Sequence, residues 1–121
     1  MKYQDRLICI KGNCDSEIDL EKTGVPFSQL SYLSVEGLDF YLTHGHYYSY
    51  EKKEKFLDRK GVLIYGHFHV PYIKQEGNMT YVCVGSISLP RCGSKASYGV
   101  YFDHTISLYD VKGNLLKEVS V

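Results

Sequence analysis

Two short runs decide most of what this chain can fold into. Leu7-Ile8-Cys9-Ile10 leads into Lys11-Gly12-Asn13, and Val62-Leu63-Ile64-Tyr65 leads into Gly66. A strand with one wet face alternates apolar and polar residues. An unbroken apolar run belongs instead to a strand covered on both faces, as in a parallel sheet. Parallel strands need crossover connections, usually helices that also cover the sheet. Helix signals are scarce. Glu51 to Lys60 is the one segment that has them: its acidic start and basic end suit the helix dipole, and Gly61 suits its stop. The rest is strand-like: residues 27–35 and 38–43 around a Glu36-Gly37 hairpin turn, then 70–75, 79–84, 97–103, 105–111 and 114–120, punctuated by Gly77-Asn78 and Gly113-Asn114. Buried strands with so little helix leave sheet surface to be covered by other chain segments or by another subunit.

With 121 residues, 44% of them hydrophobic, the chain has the size and core of one domain, residues 1–121. Nothing approaches the roughly 20 apolar residues of a membrane span. The N-terminal apolar stretch is only four residues, Leu7 to Ile10, with no small-residue cleavage site, so no signal peptide and a cytoplasmic location are expected. Cys9, Cys14, Cys83 and Cys92 contain no Cys-x-x-Cys pair and are expected to be reduced thiols, Cys9 and Cys83 as buried hydrophobes. Fourteen basic and fourteen acidic residues balance to zero, which argues against general nucleic-acid binding through a basic surface.

Chemistry gathers at three turns, each after a strand-like run: Gly12-Asn13-Cys14-Asp15, Thr43-His44-Gly45-His46 and Gly66-His67-Phe68-His69. In α/β sheets ligands bind at the C-terminal ends of strands. Imidazole and amide oxygen are metal-ligand types, and a neighbouring glycine lets the backbone turn tightly beside a site. If the segment is extended, His67 and His69 face one side and aim at one pocket. A single His-x-His is more often a solvated loop than a metal site; two such pairs, each beside glycine after a strand, make a shared metal site a real alternative. Asn13 alone suits a turn or cap, Asp15 either caps a turn or orients a histidine, and His104 suits a solvated turn.

The segments GNCD, LTHGH, YGHFHVP and GSISLPRCGSKASYG, in this order, resemble the C-terminal two-thirds of the YfcE-like phosphodiesterases of the calcineurin-like metallophosphoesterase superfamily. The resemblance implies an α/β fold: a sandwich of two mixed sheets flanked by helices, here strand-rich because the family's N-terminal strands and helices have no counterpart in the chain. It implies two divalent metals in an intact site, most often manganese, with zinc, nickel or iron as alternatives. Asn13, His44 and His67 would bind one metal and His69 the other. Cys14 occupies the position where the wider superfamily has a histidine that protonates the leaving group, and Asp15 and His46 join it in the implied catalytic set. The family's Asn-Pro-Gly-Ser turn appears as Cys83-Val84-Gly85-Ser86. Its Asp-x-His motif and its Gly-Asp motif, whose Asp bridges both metals, are not found.

The implied reaction is metal-assisted hydrolysis of a small phosphodiester. Two dications about 3.5 Å apart repel by roughly 20 kcal/mol at an effective dielectric near 20. With Asn13, His44, His67 and His69 all neutral, the chain is expected to hold at most one metal tightly. The alternative is a non-catalytic protein-binding module on the same fold. Unpaired edges and uncovered apolar surface predict a homo-oligomer, or a partner that supplies the missing N-terminal part.

Overall fold

The computed structural model describes residues 9–10, 27–86 and 96–121. Among them run ten strands: β1 (Cys9–Ile10), β2 (Phe27–Ser28), β3 (Leu30–Val35), β4 (Leu38–Thr43), β5 (Gly61–Tyr65), β6 (Pro71–Glu76), β7 (Met79–Val84), β8 (Ser97–Phe102), β9 (Thr105–Asp110) and β10 (Leu115–Ser120). A mixed five-stranded sheet has the order β3-β4-β5-β7-β6; its centre, β4-β5-β7, is parallel, and antiparallel β3 and β6 close its two sides. An antiparallel meander, β10-β9-β8, forms a second sheet, and β1 pairs with β2 in parallel.

The unbroken run from Val62 lies at the middle of the larger sheet, where both faces are covered: Val62 and Leu63 are 0% exposed on opposite faces. Phe40, Val62 and Val82 pack against Ile106 and Leu108 of the meander. The opposite face carries Tyr41, Leu63, Tyr65, Met79, Tyr81 and Cys83. Each large apolar side chain buried this way contributes about 1.5–3 kcal/mol. β9 shows the alternation that a one-sided strand requires: Ile106 and Leu108 point into the sandwich between Thr105, Ser107 and Tyr109.

The hairpins follow their turn residues. Glu36-Gly37 is a two-residue loop with both φ positive, as a right-twisted hairpin favours, and Gly77 opens the β6–β7 turn at φ +60°. Buried Asp110 accepts hydrogen bonds from the Lys112 and Asn114 amides and from Asn114 Nδ2, which fixes the β9–β10 turn.

Two expectations are corrected. Glu51 to Lys60 is not an α-helix; it holds turns and one 3-10 turn, Glu54–Phe56. The segment offers one inward apolar side chain, Phe56, where an amphipathic helix needs a repeating stripe; Leu57 is exposed. Lys52 and Lys53 instead donate to the carbonyls of His46 and Tyr50. Second, no α-helix flanks the sheets among the described residues, and only the larger sheet is mixed. Phe56, Tyr48 and Tyr50 lie over the tyrosine-rich sheet face, so another segment of the chain supplies part of its cover. The stretch 27–35 also divides at Gln29, whose carbonyl accepts from Thr43 Oγ1 at 2.7 Å. No helix among the described residues is long and apolar enough to cross a membrane.

Candidate metal centre

The parallel strands β4, β5 and β7 lie side by side, and β4 and β5 run directly into the two loops that carry the candidate histidines. Leu42 pairs with Ile64, and the ladder continues one step further through the Gly66 amide, which donates to the His44 carbonyl at 2.9 Å. That bond sets the His44-Gly45-His46 loop against the Gly66-His67-Phe68-His69 loop. Gly45 permits the approach: its φ is +120°, and a Cβ there would lie 3.0 Å from His67 Cβ and 3.1 Å from the Gly66 carbonyl oxygen.

The second loop is not extended. The Phe68 amide donates to the Gly66 carbonyl at 2.7 Å across His67, whose φ is +64°: a tight three-residue turn. His69 follows at φ +59°. Two left-handed non-glycine residues two positions apart are costly, and such backbone clusters at functional sites. The expectation that His67 and His69 share a face because they alternate along an extended chain therefore fails; turn geometry sets their directions.

The loops bring three imidazoles together. His67 Nδ1 lies 3.2 Å from His44 Nε2. The His44 ring lies 5.1 Å from that of His46 and 5.0 Å from that of His67, and the His46 and His67 rings are 6.1 Å apart. His46 Nδ1 is buried with no hydrogen-bond partner among the described residues, and its carbonyl accepts from Lys52 Nζ at 2.8 Å. His69 is half-buried two residues beyond His67. Asn13, Cys14 and Asp15 lie outside the described residues.

The donor geometry fits a divalent ion. At metal–nitrogen distances of about 2.0–2.1 Å, nitrogens 3.2 Å apart subtend about 100° at one ion, between octahedral and tetrahedral angles. The His46 ring nitrogen beside this pair, without a partner among the described residues, is a buried polar group that a ligand or a neighbouring segment would satisfy. Among the described residues no group of three or more His, Cys, Asp and Glu side chains is arranged to hold an ion; of the expected ligands, His44, His67 and His69 are described, and only His44 and His67 lie within 3.2 Å of each other.

Two supporting residues were not singled out from the sequence. Tyr65, the last residue of β5, accepts a hydrogen bond from the Tyr50 amide at 3.1 Å and shares a short one with the Tyr72 hydroxyl, tying the 44–60 segment to the sheet. Burial, then the bond to Tyr72, pushes the Tyr65 phenol strongly up. Cys83 Sγ donates to the Gly66 carbonyl at 3.4 Å, and burial raises its thiol. A buried tyrosine needs a partner for its hydroxyl, and that was the available signal for Tyr65.

Residues 1–104 match the calcineurin-like phosphoesterase superfamily domain. Phosphodiesterase YfcE of Escherichia coli K12 is 35% identical over 104 residues, which are 85% of this chain and 56% of that protein. The chain thus spans little more than half the length of the curated relatives it matches. The structure of YfcE, a phosphoesterase from E. coli, superposes with a TM-score of 0.89 at 30% identity, over 98% of this chain and 66% of that one. Vps29 from Entamoeba histolytica, complexed with zinc, shares the fold with a TM-score of 0.64 at 20% identity, over 94% of this chain and 68% of that one. The family match over residues 1–104 and the 35% identity to YfcE show that the chain belongs to the calcineurin-like phosphoesterase superfamily.

Proposed function

We propose that this chain carries the metal site of a phosphodiesterase that hydrolyses small phosphoric diesters. The observation that carries the proposal is the 3.2 Å approach of His44 Nε2 and His67 Nδ1 at the ends of two adjacent parallel strands. The family membership and the name of the YfcE relative supply the reaction class.

In this proposal Asn13, His44 and His67 hold the one tightly bound divalent ion, manganese first with zinc, nickel or iron as alternatives, and His69 is a ligand of the second ion of an intact site, which this chain by itself does not hold tightly. When bound, the ions neutralise charge that develops on the phosphoryl oxygens and acidify water. The chain's own residues do the positioning. The Gly66–Phe68 turn aims the His67 ring, and Cys83 and Tyr65 hold that turn and the facing segment in place. His46, Asp15 and Cys14 act beside the substrate. A thiol at position 14 is a poor proton donor to a leaving group, and losing a positioned acid costs roughly 10²–10⁴-fold in rate. The preferred substrates are therefore diesters with good leaving groups. Residues 1–121 act as one domain, and the domain self-associates.

The test is hydrolysis of bis(4-nitrophenyl) phosphate with added manganese. Turnover that requires the ion and falls about a hundredfold or more in His67→Ala supports the proposal, since loss even of an outer partner of a metal ligand costs about 10–100-fold. Turnover unchanged in His67→Ala, or none from the folded, manganese-supplemented chain, overturns it and leaves a binding module on the same fold.

A further inference from the structure

A cavity of about 290 Å³ opens on the tyrosine-rich side of the larger sheet, beside β4 rather than at its end. Leu30 and Tyr32 of the edge strand β3, Tyr41 of β4, and Phe56 form its walls, with Lys55 and Arg59 at its rim. Its volume is at the lower end of small-molecule sites. No carboxylate lines it, and neither cation is ion-paired with a carboxylate among the described residues. Asp39, the nearest acid along the hairpin, is engaged by the Tyr32 hydroxyl at 2.7 Å.

The two cations are held by aromatic and backbone groups. Arg59 Nη1 donates to the Tyr41 hydroxyl at 3.3 Å and Nε to the Lys55 carbonyl at 3.2 Å. Its guanidinium lies 5.5 Å from the Tyr41 ring centre, and Lys55 Nζ lies 5.3 Å from that of Tyr48. A guanidinium so placed keeps donors for an oxyanion, and its planar fork matches phosphate. Tyr32, 59% exposed, offers a ring face beside it, and buried Tyr41 backs that ring at 5.6 Å with a tilt of 55°.

The geometry points to a binding site for a small organic phosphate that bears a planar ring, its phosphate at Lys55 and Arg59 and its ring against the tyrosine wall. Tyr41 lies three residues before His44, about 10 Å along the strand, while Leu30, paired with Thr43, brings the other end of the cavity up to the histidine loop without including a histidine in its lining. The inference rests on the cavity alone, not on the phosphodiesterase proposal.

Adenosine 5′-monophosphate is the probe, titrated by calorimetry at low salt. The expected result is saturable binding that weakens about tenfold or more in the Lys55→Gln/Arg59→Gln double variant and is unchanged in His67→Ala. Inorganic phosphate alone and adenosine alone should each bind more weakly than the probe. No saturable binding, equal binding by the double variant, or loss only in His67→Ala would overturn the inference; the last would put the probe at the histidine pair. Should the double variant fail to fold, protection of Arg59 from phenylglyoxal by the probe decides in its place, and absence of protection counts against the site.

Discussion

Gly45→Ala perturbs the closest approach in the candidate site. The position has φ +120°, which L-residues rarely adopt, and the added methyl would sit 3.0 Å from His67 Cβ, 3.1 Å from the Gly66 carbonyl oxygen and 3.3 Å from Tyr65 Cδ2. The backbone conformation costs about 1–3 kcal/mol. Crowding adds about 1 kcal/mol or more, because two of the three neighbours are backbone or Cβ atoms that move only with the loop. The total is about 2–4 kcal/mol. At an unfolding entropy of about 2.1 cal/mol/K per residue, each kcal/mol lowers Tm of a 121-residue chain by about 4 °C, so a drop of about 8–16 °C is expected in thermal unfolding followed by circular dichroism. Gly77→Ala separates the two causes. It has φ +60° and open space around the added Cβ, so only a backbone cost of about 1 kcal/mol remains. A Gly45→Ala protein that melts no lower than Gly77→Ala would refute the close packing of the two histidine loops.

Phe56→Ala removes a side chain that is 1% exposed and stacked edge-on against Tyr41 and Tyr48; it should cost about 3–5 kcal/mol in urea unfolding and make the 44–60 segment sensitive to protease, and a loss below about 1 kcal/mol would mean that Phe56 does not anchor the segment. Burial raises the phenols of Tyr65, Tyr72 and Tyr81, so the folded state keeps protons that the unfolded chain gives up. This contribution is fully present below the ordinary tyrosine pKa of about 10 and is lost as pH rises beyond it, so stability should fall above that pH, with tyrosinate absorbance appearing together with unfolding. Early ionisation of every tyrosine in the folded chain would contradict this. Light scattering at micromolar concentration should show a homo-oligomer; a compact monomer would refute the self-association.

Most strands were legible because the residues that make them also make their periodicity. Val62 to Tyr65 had no polar interruption and proved to be the doubly covered central strand, and the strand-like run 105–111 proved to be β9. Glu36-Gly37 and Gly77 marked hairpins through the φ values those turns demand. The helix failed because charge order at Glu51–Lys60 mimicked a dipole pattern without an apolar stripe, and Phe56 alone did the packing. The split of 27–35 at Gln29 was hidden because pairing partners, not local propensity, decide where a strand changes sheets. At the site, the nearness of His44 to His67 was implied by the family resemblance and not by the residues alone, because nothing local says that β4 and β5 are neighbours. The turn at His67 was not legible, since left-handed backbone at a non-glycine residue has no local signal and is imposed by the surrounding bonds.

The central claim is that His44 and His67 share one ion. Titration of the chain with manganese, followed by loss of the free ion's paramagnetic resonance signal, measures this directly. The account predicts one tightly bound ion per 121-residue chain, lost in both His44→Ala and His67→Ala while the fold persists by circular dichroism. Two tight ions per chain, no tight ion, or a single ion that survives both substitutions would contradict it.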